Sequence, residues 1–167
     1  QQYFLINEES RILSTLGFYF DAGIGEQVRA ILSGATLYFC GDKVLQDPEQ
    51  LYTLLQDKRI SHVGIPPSVL QSLEPDVSKT LSDLRVLVTA GESLPISTAM
   101  IWGKNRTIIT GHGATETTIG DTISVNWDLA KRAPLGRPLP NMRAFVLDKY
   151  MQPCPPYVIG ELAITGP

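Results

Sequence analysis

Short apolar runs rich in β-branched residues alternate along this chain with segments of helical period. Ala35-Thr36-Leu37-Tyr38-Phe39-Cys40, residues 61–65, Leu84-Arg85-Val86-Leu87-Val88-Thr89 and residues 107–110 read as buried strands. Between them, residues 26–32 read as a helix stopped at Gly34, and Asp47-Pro48-Glu49 opens another with a cap and an early proline. Leu51, Leu54 and Leu55 have the spacing of one helical face. Residues 68–73 and 95–102 read as shorter helices. Strands separated by helices cannot be joined by tight hairpins. They predict an α/β fold, a mainly parallel sheet flanked by helices on both faces.

The texture changes near Ala133-Pro134. Gly136, Pro138, Pro140, Pro153, Pro155 and Pro156 punctuate the remainder of the chain, and residues 142–147 and 160–165 read as strands with no helix between them. The expected division is an α/β core over 1–133 and the start of a β-rich subdomain over 134–167. At 167 residues and 43% hydrophobic content the chain can bury a core.

Charge excludes some partners. The net charge is −3 and no basic run exceeds Lys131-Arg132, so neither nucleic acid nor an anionic membrane surface is an expected partner. No apolar run approaches the ~20 residues of a membrane span. Cys40 and Cys154 lie far apart with no metal spacing, and a reducing, cytoplasmic setting is expected. The chain opens Gln1-Gln2-Tyr3-Phe4, with no Met, basic n-region or cleavage site, and stops just after Gly166. This gives the expectation of a piece of a longer chain.

Chemistry concentrates in Thr110-Gly111-His112-Gly113-Ala114-Thr115-Glu116-Thr117-Thr118. Two glycines follow a buried strand and let the backbone bend close to a ligand. Thr115 can donate to a phosphate oxygen, and Glu116 can offer Mg²⁺ a hard oxygen. A tight turn in which Thr and Glu cap the next segment would use the same residues. Ligands of parallel sheets gather at the carboxyl ends of strands. Here those ends carry Gly64-Ile65-Pro66-Pro67, Thr89-Ala90-Gly91-Glu92 and Thr110-Gly111-His112-Gly113. Their expected convergence favours a site.

Phe20-Asp21-Ala22-Gly23-Ile24-Gly25-Glu26 is the other notable segment. Asp21 reads either as a helix-cap or first-turn carboxylate, or as a partly buried acid awaiting a cationic ligand group. His62 reads as structural. His112, between glycines, offers a ring face to a flat ligand.

In this order and spacing the segments resemble the adenylation domains of nonribosomal peptide synthetases, within the adenylate-forming ligase superfamily. Residues 20–26 look like the substrate-pocket motif, 110–118 like the adenylate-binding motif, and Gly160-Glu161-Leu162-Ala163-Ile164-Thr165-Gly166 like a later motif. Leu135-Gly136-Arg137-Pro138-Leu139-Pro140-Asn141 fits the linking pattern, and Ala90-Gly91-Glu92-Ser93 fits the loop lining the adenine. The resemblance implies a ligase of secondary-metabolite biosynthesis. It would convert an amino acid and Mg·ATP to aminoacyl-AMP and pyrophosphate, then load a phosphopantetheine thiol on a partner carrier domain of a megasynthase. By the same resemblance Thr115 contacts the α-phosphate and Glu116 holds Mg²⁺. Gly91, Glu92, Ser93, His112 and Gly113 border the nucleotide, with His112 where the family places a bulkier stacking aromatic. Ala114 stands where it has Pro.

The implied amino-acid pocket is Asp21, Ala22, Gly25, Gly64, Val88, Ala90, Gly111, Ile119 and Gly120, with Asp21 meeting the α-ammonium. Four glycines and apolar walls imply a deep pocket for a bulky apolar or aromatic side chain. The family's upstream phosphate loop, downstream ribose-binding Asp and C-terminal catalytic Lys lie outside these residues, so the chain alone is not expected to be a competent enzyme. Two alternatives remain open: acyl-CoA-ligase-type activation of a carboxylic acid, which leaves Asp21 without an ammonium, and a degenerate non-catalytic platform, which leaves Thr115 and Glu116 without a use. A Rossmann dinucleotide site is excluded, because Gly111-x-Gly113 lacks the third glycine.

Overall fold

The computed structural model describes residues 3–73 and 80–166. Its first strand, β1 (Arg11–Ser14), leads to helix α1 (Asp21–Ser33) and strand β2 (Thr36–Phe39). A single turn, α2 (Asp42–Leu45), and α3 (Pro48–Asp57) precede β3 (His62–Gly64) and α4 (Pro67–Ser72). Next come β4 (Val86–Ala90), α5 (Ile96–Trp102) and β5 (Thr107–His112), a 3₁₀ turn at Thr115–Thr117, then β6 (Thr122–Val125) and β7 (Arg137–Pro138). Strands β8 (Arg143–Leu147) and β9 (Glu161–Thr165) close the order.

The expected sheet is present and larger than anticipated. Seven strands run β2-β1-β3-β4-β5-β6-β7. The first five are parallel, and β6 and β7 are antiparallel additions at the β5 edge. β8 and β9 form a separate antiparallel pair. Three strands escaped the sequence reading for physical reasons. β1 is four residues, Arg-Ile-Leu-Ser, too short for a periodicity to stand out. β6 alternates Thr and Ser with Ile and Val, and β7 holds an edge proline that needs no ladder donor.

Side-chain alternation divides the sheet into two faces. In register across β1, β3, β4 and β5, Leu13, Val63, Leu87 and Ile108 point to one side. There they meet Leu51 and Leu55 of α3, Leu70 of α4, and Ala99 and Trp102 of α5 in one buried cluster. Val86, Ile109 and Ile123 form a smaller cluster on the other side, with Phe4, Val88 and Leu139 against it. α1 belongs to this second face: Glu26 and Arg29 line a cavity with Ile12, Gly64 and Val88.

Local chemistry explains the helices. The Asp47 carboxylate accepts from the N–H groups of Glu49 and Gln50, so α3 starts at Pro48 as expected. α1 ends at Gly34, whose φ of 67° suits a residue without Cβ. It begins five residues before the expected 26, because Gly23 and Gly25 are needed for close approach rather than for a turn. A Cβ at Gly23 would lie 2.5 Å from the Gly17 carbonyl oxygen. Among the described residues no helix is long and apolar enough to cross a membrane.

The central strand β4 depends on Leu87, which is fully buried. Leu87→Ala should lower stability by about 2–5 kcal/mol through lost burial and a residual cavity. Denaturant unfolding checks this, and a loss under ~0.5 kcal/mol would mean that the faces are not packed as described.

Candidate active site

The carboxyl ends of β3, β4 and β5 lie side by side. Gly64 pairs with Val88, and Ala90 with Gly111, so the three glycine-bearing ends converge on one edge as anticipated. β5 runs on to His112, two residues past the expected end, because β6 pairs with it through Gly111 and His112. After β4 the chain turns at Gly91, with φ of 81°. Glu92 reaches across to α4, where its carboxylate accepts from the Ser68 N–H at 3.1 Å and the Ser68 hydroxyl at 3.0 Å. Ser93 is exposed.

Beyond His112 the backbone folds back tightly. A Cβ on Gly113 would overlap the Ile119 carbonyl and the Gly120 Cα, so only glycine fits. Thr115 and Glu116 lie exposed in the 3₁₀ turn. The hydroxyl that caps this turn belongs to Thr117, which accepts from the Ala114 N–H at 3.1 Å and donates to the Ala114 carbonyl at 2.9 Å. Thr115 and Glu116 side chains make no hydrogen bond among the described residues. The capping role open in the sequence therefore falls to their neighbour, and both stay available to a ligand.

α1 supplies the opposite wall. Asp21 is its first residue, half-buried, and among the described residues its Oδ1 accepts only from the adjacent Ala22 N–H at 2.6 Å. The N-cap is Phe20, so Asp21 does not cap the helix. Gly25 brings the helix against the loop after β5, with the Ile119 Cδ1 3.3 Å from where its Cβ would be. Of the four pocket glycines only Gly111 faces open space. Gly120 is bordered by Leu139 at 3.5 Å. Gly64 is covered by Glu26, whose Oε1 would stand 2.5 Å from a Cβ there.

Glu26 is a site residue that the sequence reading passed over. It is 7% exposed, and Ser14 Oγ donates to its Oε2 at 2.8 Å. Thr15, next to Ser14, donates its hydroxyl to the Gly64 carbonyl. Thus one buried carboxyl group fastens α1 to the ends of β1 and β3. Burial pushes its pKa up to about 7, against smaller opposing contributions from Ser14, Arg29 and the Thr15 and Leu16 amides. Beside it, Phe4, Arg29, His62 and Val88 help line a cavity of about 30 Å³. The only signal in the sequence was a Glu at i+5 from Asp21 with an Arg three residues further along the same helical face. Asp121 was also missed. It is 1% exposed and contacts His112 Nδ1 at 2.9 Å.

A family model described as AMP-binding enzyme matches residues 1–167. The chain belongs to the AMP-binding enzyme family. Novobiocin biosynthesis protein H of Streptomyces niveus is 35% identical over 162 residues, 96% of this chain and 26% of that protein. A linear gramicidin synthase of Brevibacillus parabrevis is 36% identical over 165 residues, 99% of this chain and 2% of that protein. The chain thus spans about a quarter of the first relative's length and far less of the second's. The four-domain nonribosomal peptide synthetase holo-AB3403, bound to AMP and glycine, superposes with a TM-score of 0.84 at 28% identity, covering 96% of this chain and 12% of that one.

For this member of the AMP-binding enzyme family, the donor set can be compared with the needs of Mg²⁺. The ion dehydrates reluctantly and is usually held by one or two carboxylates together with substrate phosphates. Among the described residues no group of three or more His, Cys, Asp or Glu side chains clusters as a metal site. A single unpartnered carboxylate, Glu116, on an exposed turn beside Thr115 suits an ion that arrives with a triphosphate.

The raised Glu26 pKa makes stability pH-dependent. The folded protein retains a proton that the unfolded chain releases above about 4.5. This contribution is full below pH 4.5 and is lost as the pH rises through about 7. The loss amounts to about 3 kcal/mol at ~1.4 kcal/mol per pH unit. Glu26→Gln, which keeps a neutral acceptor for Ser14, should remove that slope. Denaturant unfolding of both proteins between pH 5 and 8 tests it, and parallel stability curves would refute it.

Proposed function

We propose that the full-length protein containing this chain activates an amino acid with ATP, giving aminoacyl-AMP and pyrophosphate, and then passes the aminoacyl group to a phosphopantetheine thiol on a carrier domain, with release of AMP. The observation that carries this reading is the convergence of the β3, β4 and β5 ends beside an exposed Thr115–Glu116 turn. Family membership and similarity to nonribosomal peptide synthetases support it. The division into an α/β core over 1–133 and a β-rich subdomain over 134–167 is part of the proposal; the separate β8–β9 sheet supports it, while β7 at Arg137–Pro138 still pairs with the core sheet.

In this reading a substrate carboxylate oxygen attacks the α-phosphorus, the new P–O bond forms, and the bond to pyrophosphate breaks in line. Catalysis is positioning plus charge stabilisation. Thr115 donates to the α-phosphate, while Glu116 would hold Mg²⁺, which would supply charge neutralisation of the phosphates. Gly91, Glu92, Ser93, His112 and Gly113 border the nucleotide. Asp21, at the mouth of α1, receives the α-ammonium. Among the described residues its carboxylate is bonded only to the adjacent amide, which leaves its second oxygen for that cation. The remaining wall is Ala22, Gly25, Gly64, Val88, Ala90, Gly111, Ile119 and Gly120, and a bulky apolar or aromatic side chain enters over Gly111, where space is open.

Two substitutions in the full-length protein test the assignments. Glu116→Gln should reduce kcat/KM for Mg·ATP by about 10- to 100-fold and leave amino-acid binding nearly unchanged, since the amide loses the charge that meets Mg²⁺. Steady-state pyrophosphate exchange measures this, and unchanged constants for Mg·ATP would return Glu116 to a surface role. Asp21→Ala should cut activation of every amino acid by about 10- to 150-fold, from the loss of a charge-assisted contact worth roughly 1.5–3 kcal/mol. Carboxylic acids lacking the amino group should be relatively spared. An unaltered ratio between an amino acid and its deaminated analogue would favour carboxylic-acid activation instead.

A further inference from the structure

His112 and Asp121 form a pair whose construction exceeds what the fold requires. Asp121 is 1% exposed, and its Oδ1 lies 2.9 Å from His112 Nδ1. Thr117 Oγ1, whose proton is shared with the Ala114 carbonyl, lies 3.3 Å from its other oxygen. The two residues are also joined through the backbone, because the Asp121 N–H donates to the His112 carbonyl at 2.9 Å. To bring position 121 back under position 112, the intervening turn takes Thr118 and Ile119 into the left-handed region, with φ of 59° and 78°. For a β-branched residue such as Ile119 that conformation is costly and persists only where the surroundings enforce it.

The core gains little from this pair, since the imidazole is 44% exposed. What the pair fixes is the ring. A buried carboxylate only accepts hydrogen bonds, so Nδ1 carries the proton. Among the described residues Nε2 has no hydrogen-bond partner. The residue that carries the ring stands in sequence between Gly111, which faces open space, and Gly113, at the start of the turn bearing Thr115 and Glu116.

We propose that Asp121 is a positioning residue that clamps the His112 imidazole in one orientation and tautomer, so that the ring receives the purine base of the bound nucleotide. The inference rests on the nucleotide reading above. An imidazole offers less stacking surface than a phenyl or indole ring and would lose rotational freedom on contact with a base. Holding it in advance removes that loss before the ligand arrives.

The test uses the full-length protein, with two readouts: equilibrium binding of a non-hydrolysable ATP analogue by calorimetry, and KM for ATP set against KM for the amino acid. Asp121→Ala should weaken analogue binding and raise the ATP KM by about 2- to 12-fold, the range for freeing one side chain, with the amino-acid KM unchanged. Asp121→Asn keeps an oxygen for Nδ1–H and should remain within about 2-fold of wild type. In a His112→Phe background, Asp121→Ala should cost nothing further in nucleotide binding. An equal loss in both backgrounds, a matching rise in the amino-acid KM, or an Asn variant as weak as the Ala variant would overturn the clamp while leaving nucleotide binding standing. A wild-type protein that binds no adenine nucleotide would overturn the underlying reading and the clamp with it.

Discussion

Parallel pairing is the constraint on which the rest of this molecule depends. Five adjacent strands run the same way, so each must be followed by a crossing over a face of the sheet, and all their carboxyl ends meet one edge. The order β2-β1-β3-β4-β5 also reverses direction once. From β1 the chain moves through α1 to β2 on one side, and from β3 it moves through α4 to β4 on the other. Doubly wound sheets leave a crevice where such connections part, here between β1 and β3. That is where Thr15 bonds the Gly64 carbonyl and where the Glu26 carboxyl group is inserted.

Two buried acids then organise the two sides of this edge by different means. Glu26 sits where burial favours its neutral form, and it ties a helix to two strand ends through Ser14 and the covered surface of Gly64. Asp121 is accompanied by an imidazole and a hydroxyl, so its polar atoms are satisfied by groups that themselves border the candidate ligand space. The first fixes the floor beneath Gly64 and Val88. The second fixes the ring beside Gly113. Neither carboxyl group needs to touch the reacting atoms to matter.

Much of this was legible in the sequence because it was written in period and punctuation. The runs at 35–40, 61–65, 84–89 and 107–110 became β2, β3, β4 and β5, and the Asp47-Pro48 signal became the start of α3. The glycine-bearing ends converged because a parallel sheet leaves them no other place. The short β1, the hydroxyl-rich β6 and the edge β7 were not legible, since their identity lies in the partner strand rather than in their own residues. Glycine was the least readable residue. Gly25 and Gly64 looked like pocket volume, yet Ile119 and Glu26 occupy the space beside them, and only the fold brings those side chains there. Asp121 drew no notice because its partner is nine residues away, across an antiparallel pairing that the sequence did not announce.

The site thus separates what must be rigid from what must be free. Gly64, Ala90 and Gly111 are held by ladder hydrogen bonds at fixed spacing, on strand ends that cannot shift singly, and of the two glycines only Gly111 faces open space. Thr115 and Glu116 stand on one irregular turn, which Thr117 closes from within and which the Gly113 contact with Ile119 and Gly120 pins from below. Charged substrates need such side chains unpaired until they bind, because a donor already satisfied by the protein gains nothing from a phosphate. Binding residues on loops carried by a rigid scaffold meet that requirement. Here the scaffold is the parallel ladder, and the positions left unpaired are those to which the proposed function assigns the nucleotide.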